Sequence, residues 1–232
     1  MFTKIAQYYD ALYHLKDYGA AARQLHELLQ QWNPEAKSLL DVACGTGKHI
    51  EFLKQFYQVE GVDINSELLE GARRRFPDVR FYEADMINFQ LGRRYDVVTC
   101  LFSSIGYVRL VENLAKAVAS MAHHLASNGI LIIEPWFTPQ TYWVGKITAN
   151  FLDDPELKIA WMYTSEVKER ISIFDIHYLV GTPKGVQHFT ERHEMGLFTH
   201  EEYLAAFQKI GLTAHYDPKG LFGRGMYMSK RS

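Results

Sequence analysis

Three aspartates and two glycines in the first half of the chain have the types and the spacing of a ligand-binding edge. Asp41, Asp63 and Asp85 follow one another at intervals of 22 residues, and Gly45 and Gly47 come soon after the first of them. Each aspartate stands at the end of an apolar run, so the interval measures one strand, one helix and their turns. Ligands bind at the carboxyl ends of the strands in open α/β sheets. We therefore expect the three carboxylates at one edge of a sheet.

The glycine turn favours some ligands over others. Gly45 and Gly47 follow a strand and open a helix, which lets the backbone come close to an anionic group. A dinucleotide fingerprint needs a third glycine, and GTGKHI has Ile50 in that place. The sequence also lacks the GxxxxGK motif, followed by Ser or Thr, of a phosphate-binding loop. A glycine turn without a ligand is the remaining alternative, and the later aspartates argue against it.

The same residues suit a compact ligand that carries a carboxylate, an amine, a ribose and an adenine. Asp41 can pair with an ammonium group, Asp63 can accept both ribose hydroxyls, and Asp85 can accept from an exocyclic amine. S-adenosylmethionine has these groups. We therefore expect S-adenosylmethionine as the cofactor and no metal.

Strand and helix patterns alternate around these residues. Strands are predicted at 38–43, 58–63, 79–84, 95–101 and 129–134, and helices at 18–32, 47–57, 67–76 and 110–125. A helix at 199–210, with Thr199 and Glu202 forming a capping box, and strands near 212–216 and 225–228 follow. This order predicts an α/β fold with a doubly wound, mostly parallel seven-stranded sheet.

Residues 136–198 break the alternation. The segments 165–180 and 185–198 alternate apolar and polar residues about a Thr-Pro-Lys-Gly turn, which predicts an antiparallel β-hairpin inserted over the sheet edge. We expect one domain over residues 1–232. Its parts are a helical cap at 1–35, a core at 36–135 and 199–232, and an inserted antiparallel lid at 136–198.

Composition excludes several functions. The net charge of −2 provides no basic field, so nucleic acid and anionic membranes are not expected partners. No apolar run approaches the ~20 residues that cross a bilayer, and the N-terminus lacks the layout of a secretory signal. We expect a cytoplasmic protein. Its two cysteines, Cys44 and Cys100, are expected to be reduced and buried, without a catalytic role.

Four motifs in order, DVACGTG, GVDIN, EADM and LFSSIGY, make the chain resemble the class I S-adenosylmethionine-dependent methyltransferases, whose fold is Rossmann-like. The resemblance covers residues 36–135 and the last two strands. It implies one group of residues around each part of the cofactor: Asp41, Ala43, Gly45 and Gly47 around the methionine, Asp63 and Ile64 at the ribose, Asp85 and Met86 at the adenine, and Leu101 and Phe102 against the sulfonium.

A narrower resemblance covers most of the chain. YYDALY, KDYGAAA, NPEAKSLLDVACGTGKH, LGRRYDVV, LFSSIGY, EPWF, KGVQHF and FGRG together resemble bacterial N,N-dimethyltransferases that act on nucleotide-linked deoxyamino sugars. The resemblance implies N-methylation of a nucleotide-linked aminosugar. One alternative is transfer to an oxygen, a carboxyl or a peptide nitrogen of another small metabolite. The other is a cofactor-binding protein without catalysis.

Methyl transfer to an amine requires few catalytic side chains, because holding a neutral amine in line with the sulfonium carbon supplies most of the rate acceleration. A second candidate requirement of the reaction is a side chain that accepts the proton of the incoming ammonium group. Tyr13, His177 and His193 are the predicted catalytic residues, and Tyr13 and Tyr18 are also expected to contact the cofactor.

A nucleotide-linked acceptor would need cations for its diphosphate and flat side chains for its base or sugar. Lys16 and Arg224 suit the first task, and Trp136 and Phe137 suit the second. The alternating pattern of the lid suits an intersubunit contact as well as acceptor coverage, so we also expect a homodimer.

Overall fold

The structure, a computed structural model, describes residues 6–231, so residues 1–5 of the predicted cap and residue 232 of the predicted core lie outside it. Its strands are β1 (Ser38–Val42), β2 (Gln58–Asp63), β3 (Phe81–Glu83), β4 (Tyr95–Cys100), β5 (Leu125–Ile133), β6 (Thr148–Asp153), β7 (Lys158–Tyr163), β8 (Ser165–Lys168), β9 (Ile171–Thr182), β10 (Gly185–Gly196), β11 (His215–Asp217) and β12 (Met226–Lys230). Its helices are α1 (Tyr9–Leu12), α2 (Tyr18–Trp32), α3 (Lys48–Leu53), α4 (Ser66–Arg75), α5 (Val111–His123) and α6 (His200–Gln208). Short 3₁₀ helices lie at Ala6–Tyr8 and Ser104–Val108.

A seven-stranded sheet forms the centre of the molecule, in the order β11-β12-β5-β4-β1-β2-β3. Strands β1 to β5 are parallel to one another, while β12 pairs antiparallel with both β5 and β11. Parallel strands covered on both faces are apolar throughout, and successive residues such as Leu39 and Leu40 are both fully buried. The predicted doubly wound, mostly parallel sheet is confirmed.

Helices cover both faces of this sheet. Helices α2, α3 and α4 supply apolar side chains to the core on one face, and α5 and α6 supply the core on the other. The predicted bounds of α2 match those of the structure. The predicted capping box is confirmed as well, since Thr199 Oγ1 accepts from the Glu202 amide and the Glu202 carboxylate accepts from the Thr199 amide.

The lid, residues 136–198, contains a five-stranded antiparallel sheet rather than a hairpin alone. The predicted hairpin corresponds to β9 and β10, but β7 and β6 extend the sheet beyond β9, and β8 also pairs with β9. The prediction of 165–180 as one arm is wrong, because the chain reverses at Glu169 and Arg170. Both residues have left-handed φ values, 50° and 64°, which is typical of a two-residue hairpin turn.

One face of the lid packs on the rest of the molecule. Ile176, Tyr178 and Val180 of β9 are buried in an apolar cluster that also contains Leu12 of α1 and Trp136. This face therefore covers the carboxyl ends of the central strands together with α1. Across residues 6–231, no helix has the length and apolar character needed to cross a membrane.

Candidate active site

The loop after β1 has a left-handed backbone at three of its residues. Ala43, Gly45 and Gly47 all have left-handed φ values, 59°, 55° and 78°. A Cβ added at Gly45 would meet only Leu68, at 3.8 Å, whereas one at Gly47 would press on the Phe76 ring at 3.0 Å. Gly45 is therefore needed for its conformation and leaves open space beside the loop, and Gly47 is needed for close packing as well.

Asp63 at the end of β2 fixes this loop. One carboxylate oxygen accepts from the Gly45 amide at 2.7 Å and the other accepts from the Asn65 amide at 2.8 Å. Burial raises the pKa of Asp63, and these amide hydrogen bonds oppose the rise because they favour the ionised form. The carboxylate thus connects two neighbouring strand ends.

A cavity of about 430 Å³ opens beside Asp63; we name it the cofactor cavity. Six residues predicted for the cofactor lie on its wall: Ala43, Gly45, Asp63, Ile64, Asp85 and Met86. The wall also includes Tyr9, Asn65, Leu68, Ile87, Ser104, Tyr107, Arg109, Asn113, Arg192 and Glu194. The last two belong to β10, so the lid contributes to this cavity.

Asp41 lies inside the sheet rather than on the wall of the cofactor cavity. Thr99, its partner in β4, donates from Oγ1 to Asp41 Oδ1 at 2.9 Å. Asp41 Oδ2 is buried and has no hydrogen-bond partner among residues 6–231. Burial raises the pKa of this carboxyl to about 7. The expected edge position applies to Asp63 and Asp85, but Asp41 precedes the end of its strand and packs against β4.

Leu101, Gly47 and Tyr18, which were also predicted for the cofactor, are not on the wall of the cofactor cavity. Leu101 is buried in the core beneath the sheet. Gly47 is the N-cap of α3. Tyr18 packs edge-on against His49, with ring centroids 4.9 Å apart. These residues support the loop and the cap from behind.

A second cavity, of about 520 Å³, lies between the lid, α1 and the ends of β4 and β5; we name it the acceptor cavity. Seven predicted residues meet on its wall: Tyr13, Lys16, Phe102, Trp136, Phe137, His193 and Arg224. Unpredicted neighbours include Tyr9, Ser104, Tyr107, Trp143, Asn150, Trp161, Tyr163, Phe174 and Tyr178. Its wall is predominantly aromatic, which suits the exclusion of water.

Tyr9, Ser104 and Tyr107 lie on the walls of both cavities. The Tyr107 hydroxyl is 2.9 Å from His193 Nδ1. Burial lowers the pKa of His193 to about 4 and raises the pKa of Tyr107, so both groups are uncharged at neutral pH. Sequence reasoning missed Tyr107, although its motif, LFSSIGY, was recognised for its cofactor side.

Two cations border the acceptor cavity. The Arg224 guanidinium carbon lies 4.7 Å from the Trp136 ring centre and 5.1 Å from that of Phe137. Lys16 Nζ lies 5.6 Å from the ring centre of Phe102. Burial lowers the pKa of both Arg224 and Lys16, because it disfavours their charged forms. An anionic ligand would relieve that cost.

Glu134, which sequence reasoning did not select, supports the loop after β4. Phe102 and Ser103 have left-handed φ values of 54° and 62° in succession. The Phe102 amide donates to the Glu134 carboxylate at 2.7 Å, and Ser103 Oγ donates to the Pro135 carbonyl at 2.7 Å while accepting from Arg224 at 2.9 Å. Its position was a usable signal, since Glu134 follows a strand as Asp85 does.

The structure does not bring His177 to either cavity described here. His177 lies on the outer face of β9, where its Nδ1 is 3.3 Å from His188 Nε2. Its neighbours Ile176 and Tyr178 occupy the inner face, because successive residues of a strand point to opposite sides. The prediction of His177 at the catalytic site therefore places it on the wrong face.

S-adenosylmethionine fits the residues of the cofactor cavity. Asp63 and Asp85 offer carboxylate oxygens, with Asp85 oriented by the Ile87 amide at 3.0 Å. The bare backbone at Gly45 leaves room beside them. No cluster of three or more metal-ligating side chains occurs within residues 6–231.

Comparisons with known proteins agree with this geometry. Residues 39–129 match the model of a methyltransferase domain. The chain is 39% identical to the dTDP-3-amino-3,4,6-trideoxy-alpha-D-glucopyranose N,N-dimethyltransferase of Streptomyces venezuelae, over 96% of each chain. It is 37% identical to the dTDP-3-amino-3,6-dideoxy-alpha-D-glucopyranose N,N-dimethyltransferase of Streptomyces fradiae, over 97% of this chain and 89% of that one.

Solved structures give the same result. The crystal structure of Streptomyces venezuelae DesVI matches with a TM-score of 0.94 and 37% identity over 98% of both chains. The S-adenosylmethionine-bound structure of CalS10, an amino pentose methyltransferase from Micromonospora echinaspora, matches with a TM-score of 0.89 and 33% identity, over 97% of this chain and 96% of that one.

Proposed function

The chain belongs to the class I S-adenosylmethionine-dependent methyltransferases, and we propose that it methylates the amino group of a nucleotide-linked aminosugar. The observation that supports this proposal most directly is the wall of Tyr9, Ser104 and Tyr107 that the cofactor and acceptor cavities share. A methyl donor and an amine held in the two cavities would meet at that wall. Relatives at 37–39% identity are named for N,N-dimethylation of dTDP-linked aminosugars.

In this proposal the residues of the cofactor cavity hold S-adenosylmethionine, which supplies an electrophilic methyl group. Asp63 accepts hydrogen bonds from the ribose, and Asp85 accepts from the adenine amine. Gly45 lets the backbone approach the methionine part. Oδ2 of Asp41 is buried without a hydrogen-bond partner among residues 6–231, and its pairing with the ammonium group of the cofactor is part of the proposal.

The aromatic wall of the acceptor cavity would exclude water from the amine and so favour its uncharged form. Only the neutral amine is a nucleophile, and alignment supplies most of the rate. The Tyr107 hydroxyl is placed to accept a hydrogen bond from the amine while it shares one with the neutral His193 ring, and the proton that methylation releases passes to water when the product leaves. Tyr13, whose ring packs edge-on against Phe102 at 5.2 Å, would orient the acceptor against this wall.

The nucleotide part of the acceptor would occupy the rest of the acceptor cavity. Arg224 and Lys16 would bind the diphosphate, which relieves the burial of their charges. Trp136 and Phe137 form an aromatic surface under Arg224. Asn150 and Trp161, cross-strand partners in β6 and β7, add an amide and a flat ring suited to a base.

We also propose that the protein forms a homodimer through the outer face of the lid. Phe151, Leu179 and Val186 are 64%, 50% and 68% exposed on that face, a cluster of apolar surface that a second copy would cover. Light scattering tests this, since a monomeric mass contradicts it.

We also propose a cytoplasmic location, because the free, buried state of Cys44 and Cys100 is usual in a reducing compartment.

The function is tested by incubation with S-adenosylmethionine and dTDP-linked 3-amino and 4-amino deoxysugars. Mass spectrometry should detect a monomethylated and then a dimethylated product. A matched panel of hydroxyl, carboxyl and peptide-amine acceptors serves as the control. Transfer to one of those acceptors alone would replace the proposal, and calorimetric cofactor binding without any turnover would indicate a non-catalytic binding protein.

A further inference from the structure

Asp10 on α1 connects the N-terminal segment to two parts of the cofactor site. Its Oδ1 accepts from Thr46 Oγ1 at 2.6 Å, and its Oδ2 pairs with the Arg75 guanidinium at the end of α4. Arg75 also donates to the Thr46 carbonyl at 3.3 Å. The three residues therefore form a closed set of contacts, and Thr46 lies between Gly45 and Gly47 in the glycine loop.

Helix α1 depends on such contacts for its position. It has four residues, and a helix this short is not stable in water by itself. One of its side chains, Leu12, is buried in the lid cluster. Asp10, on the opposite side of the same turn, fixes the helix against the glycine loop.

The residues beside Asp10 are those that close the two cavities. Tyr9 lies on the walls of both cavities, and Tyr13 lies on the wall of the acceptor cavity. A rotation or displacement of α1 would move both rings away from the junction. The placement of the two tyrosines is therefore coupled to the glycine loop through a single carboxylate.

We propose that Asp10 is a positioning residue that, through Thr46 and Arg75, holds Tyr9 and Tyr13 in the closed wall and retains the bound cofactor. A ligand that orders the glycine loop also orders α1, and by reciprocity a well-placed α1 raises the affinity for that ligand. Differences in affinity between variants of one site lie mostly in the release rate, so we expect the effect there. The inference concerns the cofactor and does not depend on the identity of the acceptor.

Stopped-flow fluorescence of the full chain, loaded with S-adenosylmethionine and mixed with excess S-adenosylhomocysteine, measures cofactor release. Asp10→Ala removes a hydrogen bond to a charged acceptor, so release should accelerate about 10- to 100-fold. Asp10→Asn keeps an oxygen for Thr46 but loses the ion pair, so the increase should be about 3-fold. Thr46→Val should resemble Asp10→Ala, whereas Thr46→Ser should restore slow release because it keeps the hydroxyl.

A control variant separates this role from general stability. Arg93→Ala removes an ion pair with Glu60 of β2, neither residue of which is on the wall of the two cavities, and should leave release unchanged. Hydrogen exchange of the cofactor-free enzyme should show faster exchange at residues 9–13 in Asp10→Ala, with unchanged exchange in α6. Unchanged release in Asp10→Ala would overturn the inference, as would equal acceleration in Arg93→Ala. Either result leaves the proposed acceptor untouched.

Discussion

The hydroxyl of Tyr107 lies 2.9 Å from Nδ1 of His193, and this contact joins the 3₁₀ helix after β4 to the inner face of the lid. The His193 ring also stacks on Phe174 at a centroid distance of 5.3 Å. The pair is buried where the two cavities meet. Burial lowers the pKa of His193 to about 4, so the imidazole is uncharged at pH 7 and acts as a hydrogen-bond partner of the Tyr107 hydroxyl.

Tyr107→Phe should therefore lower kcat more than it changes cofactor affinity. Loss of the hydroxyl removes a hydrogen-bonding group that the reacting amine needs, and we expect a decrease in kcat of ~10- to 100-fold. The Kd for S-adenosylmethionine should change by less than ~3-fold, since the cavity keeps its ring. Steady-state kinetics and calorimetry measure the two quantities. His177→Ala is the matched control and should leave kcat unchanged, because that ring lies on the outer face of β9.

Asp41→Asn should stabilise the cofactor-free enzyme at alkaline pH. Burial raises the pKa of Asp41 from 3.8 to about 7, so between these values the folded state binds a proton that the unfolded chain releases. The free energy of unfolding therefore falls as the pH rises through that range. An amide does not ionise, and the variant should gain ~1 to 3 kcal/mol at pH 8 in urea unfolding, less than the full linkage because its NH₂ stays unpaired.

Asp96→Asn provides the opposite control. Burial tends to raise the pKa of Asp96, but hydrogen bonds from the Lys37 and Ser38 amides, both 2.9 Å, outweigh it and lower the pKa. This carboxylate stabilises the fold when ionised, so its replacement should destabilise the protein at pH 8. Equal effects of the two substitutions would contradict the assignment of Asp41 as a buried, unfavourable charge.

Mild acid should destabilise the fold through two buried histidines. Burial lowers the pKa of His49 and of His193 to about 4, so the unfolded chain takes up protons that the folded state does not as the pH falls from about 6.5 towards 4. The free energy of unfolding keeps this contribution above about pH 6.5 and loses it as the pH falls further, by up to ~3 kcal/mol per histidine. Unfolding at pH 7 and pH 4.5 should be compared in the Asp41→Asn background, since Asp41 titrates in the same range with the opposite sign.

His49→Leu should lose about half of that pH dependence. A pH dependence that persists unchanged in this variant would assign it to other groups.

Arg224→Lys should weaken acceptor binding although the charge is retained. The guanidinium carbon lies 4.7 and 5.1 Å from the ring centres of Trp136 and Phe137 while Nη1 donates to Ser103, and the compact ammonium group of lysine lacks the planar set of donors that makes these contacts together. We expect the KM for a dTDP-linked acceptor to rise ~10- to 100-fold, with the cofactor Kd within ~2-fold. A larger change in cofactor affinity than in acceptor KM would show that Arg224 contributes to cofactor binding rather than to acceptor binding.

Sequence reasoning predicted the central sheet well because its signals are local. The apolar runs, the glycine turn and the spacing of the aspartates identify parallel strands and their carboxyl ends without tertiary information. Asp63 and Asp85 reach the cavity as predicted. Asp41 does not, because one residue along a strand turns a side chain from the edge into the sheet, where Thr99 receives it.

The lid was harder to predict because both of its faces carry apolar residues. Leu179 is half exposed while Tyr178 beside it is buried, so alternation alone does not identify the inner face. His177 and His193 were indistinguishable for that reason. Strands β6 and β7 were missed, although Asp-Asp-Pro between two short aromatic segments is a readable turn signal.

Strand β10 sends successive side chains to different destinations: Arg192 and Glu194 border the cofactor cavity, while His193 and Met195 border the acceptor cavity. A slip of one position in its pairing with β9 would exchange the two sets. We therefore expect a one-residue insertion in β10 to abolish activity. Asn150 of β6 and Trp161 of β7 border the acceptor cavity and not the cofactor cavity. Substitutions in these two strands are therefore the ones to use for directing the enzyme to new sugars.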